Sequence, residues 1–493
     1  METQSDTMLR MGNVGDNKMK PEMTFSGLAS DSREVKPGYL FAALSGSRDD
    51  GTRFIADAVK RGAVAVLARP EFSSRVRELG VAFLADENPR LRLALMASSF
   101  FGAQPDVIAA VTGTNGKTSV AVFLRQIWTF AGEKAASLGT IGLVTPDGEI
   151  PLSHTTPEPV EIHRLLAELK GDGVERLAFE ASSHGLDQFR IDGVKIAAGA
   201  FTNITRDHLD YHKTFEDYLA AKLRLVDLVS DGGIFVVNAD ATHADTFASA
   251  TERRGLKLLT VGEKGDTVKL LSREPSGDGQ TLRVVYRGNT HEVALPLAGS
   301  FQASNALVAA ALAVGLGEHE DAVFAALGHL KGAAGRLEKV ARSATGAPVY
   351  VDYAHTPDAL ETVLTALRPH VKGRLHVIFG CGGDRDRGKR PLMGAAAAKF
   401  ADAVIVTDDN PRSEDPASIR QAALAGCPGA REIGDRAEAI RAGIAALQAG
   451  DVLVIAGKGH EPGQTIGTVT RPFSDRDEAA KAAIALGGQE ARS

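Results

Sequence analysis

The segment 112–119, Thr-Gly-Thr-Asn-Gly-Lys-Thr-Ser, holds the residue types of a phosphate-binding loop. It follows the apolar run 107–111 and precedes a stretch with the apolar spacing of an amphipathic helix. The glycines would let backbone N–H groups approach phosphate oxygens, Lys117 would reach the terminal phosphates, and Thr118 would bind Mg²⁺. Val111 stands where the common G-x-x-x-x-G-K pattern has its first glycine. A strand-to-helix turn without a ligand is the alternative.

Two further positions could supply metal ligands. Glu180 ends an apolar run, where a carboxylate is costly unless it is paired or bound to a metal. Lys222 lies in an apolar stripe of a helix that Thr214 is predicted to cap. Its ammonium either reaches the surface along its own stem, or its pKa is lowered and the amine reacts with CO₂ to form a carbamate. The spacing leaves both readings open, and a structural ion pair also stays open for Glu180.

Two loops that follow predicted strands, 382–390 and 408–416, are rich in arginine and acidic residues. We expect Arg385 and Arg412 to converge at one edge of a sheet. Guanidinium groups bind carboxylates bidentately, so the pattern favours a substrate with more than one carboxylate. Solvated charge on two loops is the alternative. Cys381 is interpreted as a packing residue, because no accompanying constellation marks it as a nucleophile.

The elements that must position these clusters are those of an α/β protein. Short apolar runs alternate with helical patterns, which predicts mostly parallel sheets with right-handed crossovers. The predicted strands are 39–44, 63–67, 107–111, 176–180, 233–238, 349–352, 375–380, 403–407 and 452–456, with a hairpin at 273–280. Ligands of such sheets bind beyond the carboxyl ends of the strands, which is where the clusters lie.

Composition bounds the class of protein. A length of 493 residues predicts about three domains, which we place at 23–106, 107–338 and 339–493 after a loose tail at 1–22. The net charge of −6 argues against a nucleic-acid partner. Two cysteines are too few for a disulfide framework. The apolar runs are too short for membrane insertion, so we expect a cytoplasmic protein.

Eight motifs in one order carry a family resemblance. They are TGTNGKTS, EASSHGLDQFR, TNITRDHLDYH followed by AAK, GRLE, DYAHTPD, GCGGDRDRGKRP, DNPR and GKGHE. Over about residues 24–480 the chain resembles the Mur ligases, ATP-dependent amide-forming enzymes of peptidoglycan precursor synthesis. The resemblance implies a small UDP-binding domain, a central P-loop ATPase and a C-terminal Rossmann-like domain. We expect a monomer that acts on small-molecule substrates.

The resemblance also implies roles for individual residues. ATP would be bound by Gly113, Thr114, Asn115, Gly116, Lys117, Thr118, Ser119, Asn305, Arg336 and Asp352. The UDP-muramoyl-dipeptide would be bound by Ser32, Thr155, Thr156, Ser182, Gln188, Arg190 and Lys222. The amino acid would be bound by Arg385, Asp409, Asn410, Pro411, Arg412, Gly457 and Glu461. The catalytic group would be Lys117, Glu180, His208 and Lys222, and Mg²⁺ would be held by Thr118, Glu180, His208 and Lys222 as N6-carboxylysine. His154 stands where the family commonly has Asn.

Family members that add diaminopimelate carry DNPR, as this chain does at 409–412. Arg412, with Arg385, would give the distal carboxylate of meso-diaminopimelate its counter-charge, whereas lysine lacks that carboxylate. The resemblance therefore implies ATP-dependent addition of meso-diaminopimelate to the D-glutamate γ-carboxylate of UDP-N-acetylmuramoyl-L-alanyl-D-glutamate through an acyl phosphate. The alternatives are a lysine-adding ligase, a ligase like folylpolyglutamate synthetase, and a P-loop nucleotide-binding partner protein without ligase activity.

Overall fold

The structure is a computed structural model that describes residues 24–46, 50–205, 207 and 211–491. Its chain forms two compact units. The first comprises the described residues up to Lys117 together with Gly132–Val237 and Ala241–Leu258, and the second comprises Thr118–Ala131, Asn238–Asp240 and the described residues from Leu259 onward. No helix among the described residues is both long and apolar enough to cross a bilayer. The predicted tail at 1–22 lies outside the described residues.

The N-terminal stretch builds a four-stranded parallel sheet in the order β1-β2-β3-β4. Apolar side chains alternate between its two faces, and each face buries its own cluster. The elements are β1 (Gly27–Ala29), β2 (Tyr39–Ala42), α1 (Ile55–Lys60), β3 (Ala65–Ala68), α2 (Ser73–Glu78), β4 (Ala82–Ala85) and α3 (Pro89–Phe101), with 3-10 turns at Ser32–Glu34, Gly51–Phe54 and Pro70–Phe72.

A second sheet of the first unit positions the phosphate loop. Its strands pair in the order β11-β10-β5-β9-β6-β7-β8, parallel from β11 to β6 and antiparallel beyond. The elements in chain order are β5 (Val107–Thr112), α4 (Lys117–Phe130), β6 (Ala135–Gly139), β7 (Gly142–Thr145), β8 (Gly148–Ile150), α5 (Pro159–Gly171), β9 (Arg176–Glu180), α6 (Ser183–Asp187), β10 (Ile196–Phe201), α7 (Phe215–Leu228), β11 (Val229–Asn238) and α8 (Ala244–Arg253). Register places Val111 opposite Glu180 and Thr112 opposite Phe201, so three carboxyl ends line up.

Four further strands follow in the chain, and the last three of them form an antiparallel meander. β12 (Lys257–Gly262) pairs in parallel with β13 (Val268–Ser276), and β13, β14 (Gly279–Tyr286) and β15 (Asn289–Leu295) are antiparallel. Ser276 lies opposite Gly279, which confirms the predicted hairpin. Two helices, α9 (Ser300–Gly315) and α10 (Glu320–Leu327), lead to the last sheet.

The C-terminal stretch builds a seven-stranded sheet in the order β20-β19-β18-β21-β17-β16-β24. Its five strands from β20 to β17 are parallel, and the clusters on its two faces form separate cores. The elements are β16 (Glu338–Arg342), β17 (Pro348–Asp352), α11 (Pro357–Leu367), β18 (Leu375–Phe379), α12 (Lys389–Phe400), β19 (Ala403–Val406), α13 (Pro416–Leu424), β20 (Arg431–Glu432), α14 (Arg436–Ala445), β21 (Val452–Ala456), β22 (Gly463–Ile466), β23 (Val469–Pro472), α15 (Asp475–Ala485) and β24 (Gln489–Glu490), with a 3-10 turn at Arg368–His370. The carboxyl ends of β17, β18, β19 and β21 meet at one edge, as the parallel arrangement requires.

The prediction of an α/β fold with mostly parallel sheets is confirmed. Short apolar runs bounded by glycine or polar residues located the strands to within a few residues. Thr214 caps α7 by accepting the N–H of Asp217 at 3.1 Å, as its motif predicts.

Candidate active site

The phosphate loop lies between β5 and α4 in the chain, and the segment after β10 holds it. The Asn203 carbonyl accepts the N–H of Thr114 at 2.8 Å, and the Asn203 side-chain oxygen accepts that of Asn115 at 3.0 Å. The Thr202 hydroxyl donates to the Asn115 carbonyl at 2.6 Å. A Cβ at Gly113 would collide with that hydroxyl, and φ at Gly113 is +151°, so glycine is required there. Asn203 thus occupies two N–H groups of the loop.

Two lysines direct their side-chain nitrogens at one carbonyl. Lys117 Nζ lies 2.9 Å from the oxygens of both Gly113 and Thr114, and Lys222 Nζ lies 2.7 Å from the same Gly113 oxygen. Lys222 is 1% exposed and lies 4.5 Å from the centre of the Tyr218 ring. Burial, and then repulsion from Lys117, lowers the pKa of Lys222 well below the usual lysine value, which favours the uncharged amine. Because the Lys222 side chain is buried, the interpretation in which its amino group reaches the surface is wrong.

Glu180 is 1% exposed at the end of β9, and Thr140 supplies its partners. The Thr140 N–H donates to Oε1 at 2.7 Å and the Thr140 hydroxyl to Oε2 at 3.1 Å. A Cβ at Gly139 would overlap this carboxylate. The Thr140 hydroxyl also lies 3.1 Å from the Thr155 hydroxyl. No ion pair within the described residues involves Glu180, so its carboxylate is held by hydrogen bonds instead of by a cation.

Four of the residues predicted to bind the dipeptide form one hydrogen-bonded network. The Thr156 hydroxyl accepts the N–H of Ser182 at 3.1 Å, and the Thr156 carbonyl accepts Arg190 Nη1 at 2.8 Å. Arg190 Nη2 donates to Gln188 Oε1 at 2.8 Å and pairs with Glu158 at 2.9 Å. The structure brings these four predicted residues together around the first turn of α6.

Other predicted residues of the first unit stand apart. Ser32 is buried in a 3-10 turn where Asp31 accepts the N–H of Arg33 at 2.9 Å, and the side-chain hydrogen bond from the Arg33 guanidinium lowers the pKa of Asp31. No hydrogen bond in the described part of the chain links Ser32 to the Thr156 network. His154 is exposed. The predicted metal ligand His208 lies outside the described residues.

In the second unit, two of the residues predicted to bind ATP, Arg336 and Asp352, lie at the end of β17. Asp352 accepts the N–H of Leu337 at 2.7 Å, and Arg336 lies just before it in the chain. Burial raises the pKa of Asp352, and the Arg336 charge opposes that rise. Gln302 on α9 donates to the Arg336 carbonyl at 2.9 Å, and Asn305 is buried one turn further along that helix.

The two predicted carboxylate-binding arginines flank one glycine. A Cβ at Gly382 would lie 3.0 Å from Arg412 Nη1 and 3.6 Å from Arg385 Cγ. Arg412 Nη1 also donates to the Gly383 carbonyl at 2.8 Å. Arg412 Nη1 and the stem of Arg385 thus lie close to the same glycine, while the convergence of the two guanidinium groups and their role stay predictions.

A hairpin fixes the backbone of Arg412. Its φ is +51°, in the left-handed region that L-residues other than Asn and Asp seldom adopt. The Arg412 N–H donates to the Thr465 carbonyl at 3.1 Å, and the Arg412 carbonyl accepts the N–H of Gly467 at 2.7 Å. Both partners belong to the β22–β23 hairpin, which thereby compensates the backbone strain.

The remaining predicted residues of this site lie on the facing loops after β19 and β21. Asp409 Oδ2 is 2.8 Å from the position of a Cβ at Gly457, whose φ is +118°. Asn410 Nδ2 donates to Glu461 Oε2 at 3.0 Å. Pro411 continues the first of these loops. The cluster therefore joins two segments that are about fifty residues apart in sequence.

A buried ion pair lies behind both loops. Arg436 and Asp475 each have a side chain that is 0% exposed, and Arg436 Nε and Nη2 each donate to the Asp475 carboxylate at 2.7 Å. Arg436 also donates to the carbonyls of Asp408 at 3.3 Å and Ala456 at 3.0 Å. These are the residues just before Asp409 and Gly457, so one guanidinium ties the two strand ends together.

Sequence reasoning missed several residues that organise these sites. Thr140 and Asn203 act on the first unit, and Lys458 and Thr465 contact the Asn410 side chain in the second. Of these residues, only Lys458 could have been predicted from the sequence, because it lies between Gly457 and Gly459 directly after a buried strand. The others depend on strand register, which local sequence does not reveal.

A phosphate loop beside a buried carboxylate in the first unit, and arginine-rich loops over a parallel sheet in the second, agree with the class of nucleotide-dependent, amide-forming ligases. The chain matches three domain descriptions: "Mur ligase family, catalytic domain" at 24–101, "Mur ligase middle domain" at 111–313, and "Mur ligase, glutamate ligase domain" at 335–459.

Curated relatives are similar along nearly the whole chain. The UDP-N-acetylmuramoyl-L-alanyl-D-glutamate–2,6-diaminopimelate ligase of Bradyrhizobium diazoefficiens is 55% identical over 93% of this chain and 95% of its own. The ligase of the same name from Caulobacter vibrioides is 53% identical over 96% and 98%. A solved structure of a ligase of that name is 36% identical, covers 96% of this chain and 97% of its own, and superposes with a TM-score of 0.72. The chain belongs to the Mur ligase family.

Proposed function

We propose that the chain adds meso-diaminopimelate to the D-glutamate γ-carboxylate of UDP-N-acetylmuramoyl-L-alanyl-D-glutamate, with cleavage of ATP to ADP and phosphate. The names of relatives at 53–55% identity support this activity. The observation that carries it is the Arg412 guanidinium beside Gly382, with the stem of Arg385 close to the same glycine. A guanidinium at this site suits an amino acid with a second carboxylate.

The residues support a route through an acyl phosphate. The γ-carboxylate attacks the γ-phosphoryl group of ATP, the bond to ADP breaks, and an acyl phosphate forms. The uncharged amine of diaminopimelate then attacks the acyl carbon, and the tetrahedral intermediate expels phosphate as the amide forms. Lys117 would neutralise charge on the transferring group. This route needs no protein nucleophile, which agrees with the burial that raises the pKa of the Cys381 thiol to about 12.

Mg²⁺ is implied by the family, and the oxygen donors of this chain suit it. We propose that Thr118, Glu180 and a carbamylated Lys222 hold it, with His208 as a further ligand. The described residues contain no group of three or more His, Cys, Asp and Glu placed to hold a metal, and His208 lies outside them. Mg²⁺ commonly keeps waters and substrate phosphates as ligands. When bound, Mg²⁺ would supply positive charge to the phosphates.

The environment of Lys222 supports the carbamate. Its Nζ would attack the carbon of CO₂ and release one proton, which leaves an anionic carbamate on the side chain. An uncharged amine is the form that reacts, and burial favours that form. The new anion would also balance Lys117, which directs its ammonium at the same Gly113 carbonyl.

The other assignments stay proposals of the same kind. We propose a UDP site at Ser32, the dipeptide on the Thr156 network, adenine nucleotide on the loop and on Asn305, Arg336 and Asp352, and domain boundaries near 106 and 338. We also propose a cytoplasmic monomer.

One assay tests the function. Phosphate release from ATP is measured with UDP-muramoyl-dipeptide and diaminopimelate, lysine or neither. Release that depends on diaminopimelate supports the proposal, equal release with lysine supports the lysine-adding alternative, and release that needs neither dipeptide nor amino acid supports a nucleotide-binding protein without ligase activity. Arg412→Met should lower the diaminopimelate-dependent rate about tenfold or more, whereas Arg471→Met on the exposed strand β23 should not change it.

A further inference from the structure

Lys458 is a charged side chain that the proposed mechanism does not use. It is 0% exposed, and its Nζ lies 3.1 Å from Asn410 Oδ1, 3.2 Å from Glu461 Oε2 and 3.9 Å from Asp409 Oδ1. Burying an ammonium group is costly unless it is paired and hydrogen-bonded. Its three partners all belong to the proposed diaminopimelate site. The ammonium group is therefore paired and hydrogen-bonded at the place where the substrate would bind.

The first consequence is that Lys458 fixes the orientation of Asn410. The Asn410 oxygen accepts from Lys458 Nζ and from the N–H of Thr465 at 2.9 Å. The Asn410 amide nitrogen must then face Glu461, to which it donates at 3.0 Å. Lys458 and Asn410 both bond Glu461 Oε2, so Oε1 is the carboxylate oxygen left for a substrate ammonium.

The second consequence concerns charge. The site contains two carboxylates, Asp409 and Glu461, and three cations, Lys458, Arg385 and Arg412. It is thus positive by one charge. Meso-diaminopimelate with an uncharged attacking amine carries two carboxylates and one ammonium, so it is negative by one charge. Lysine with an uncharged attacking amine is neutral. Its net charge would complement that of the site only if Lys458 carried no charge.

We infer that Lys458 is a positioning and specificity-determining residue, which orients Asn410 and Glu461 and biases the site toward a substrate with a second carboxylate. This inference rests on the proposed function. An ammonium at Glu461 is available to either substrate, whereas with lysine the two arginines find no second carboxylate to bind and the charge of Lys458 adds to theirs.

The test compares full-length wild type with Lys458→Met, which keeps the side-chain length and removes the charge. The matched control is Lys481→Met, an exposed lysine on α15. We expect Lys458→Met to raise KM for diaminopimelate about tenfold and to narrow the preference for diaminopimelate over lysine, as a ratio of kcat/KM, about tenfold. KM for ATP should stay within about twofold, which a general loss of structure would not allow.

Three results would decide against the inference. An unchanged KM and preference in folded Lys458→Met would overturn it. If that variant does not fold, Lys458→Met is combined with Glu461→Gln, which removes the uncompensated charge. A preference in the double variant equal to that of Glu461→Gln alone would also overturn it. Wild type that uses lysine as well as diaminopimelate would instead refute the proposed function, and the inference would fall with it.

Discussion

The pair of Arg436 and Asp475 is an ion pair that is fully buried beside the C-terminal sheet. Replacing Arg436 with methionine keeps an apolar stem of similar length and removes every hydrogen bond that the guanidinium donates. The Asp475 carboxylate, which is 0% exposed, then loses its only counter-charge among the described ion pairs. The carbonyls of Asp408 and Ala456 lose their shared donor as well.

The expected cost follows from the burial. Removing one partner of a buried pair destabilises a protein by about 3–5 kcal/mol, because the remaining charge is left in a low-dielectric interior. A domain of this size shifts its melting temperature by about 2–4 °C per kcal/mol. Arg436→Met should therefore lower the melting temperature of the transition that includes the C-terminal sheet by about 6–20 °C.

Thermal unfolding followed by calorimetry measures this shift. Lys481→Met, which breaks an exposed pair with Glu478 on α15 of the same unit, is the matched control and should shift the transition by no more than about 2 °C. Adding Asp475→Leu to Arg436→Met removes the stranded charge and should recover part of the loss, but not the part due to the two carbonyls. A shift for Arg436→Met no larger than that of Lys481→Met would refute the reasoning.

Three further outcomes are expected. Gly139→Ala should lower kcat/KM about tenfold or more, because its Cβ would displace the Glu180 carboxylate, while Gly171→Ala, which meets open space at the end of α5, should keep wild-type rates. Glu414→Gln should lower the melting temperature at neutral pH, because the hydrogen bond from an arginine of α12 lowers the pKa of Glu414 from 4.5 to about 2. The difference in melting temperature between wild type and this variant is present above pH 4.5 and should vanish as pH falls toward 2. A difference that does not depend on pH would contradict this prediction. Lys222→Ala should abolish phosphate release and high bicarbonate should not restore it, so full activity in that variant would exclude the carbamate.

Sequence reasoning predicted the α/β class, nine strands and one hairpin, because these strands are short apolar runs bounded by turn residues. The same alternation of strands and helices predicted that the loops after β17, β18, β19 and β21 share one edge, and the pairing confirms it. The family and ligase class were also predicted correctly. The order of the eight motifs supported the family prediction. The phosphate loop by itself would not have been enough, because Val111 stands where the common pattern has its first glycine.

The finer organisation was beyond the sequence for physical reasons. The helical stripe placed Lys222 among apolar residues, yet whether its ammonium reaches water depends on the Gly113 carbonyl, over a hundred residues away. Thr140 holds Glu180 only because β6 pairs with β9 in a register that local propensity does not encode. The contact of Lys458 with Asn410 likewise requires the loops after β19 and β21 to meet.

The β22–β23 hairpin, which is hydrogen-bonded to the backbone of Arg412, is a segment in which a mutation could change the position of that arginine. A left-handed backbone at a non-glycine residue costs about 1–3 kcal/mol, and two hydrogen bonds from the hairpin hold it. A two-stranded hairpin is marginally stable alone, and all four residues of β23 are exposed. A change in the length or composition of its turn would therefore move the Arg412 backbone without touching the phosphate loop, which belongs to the other unit.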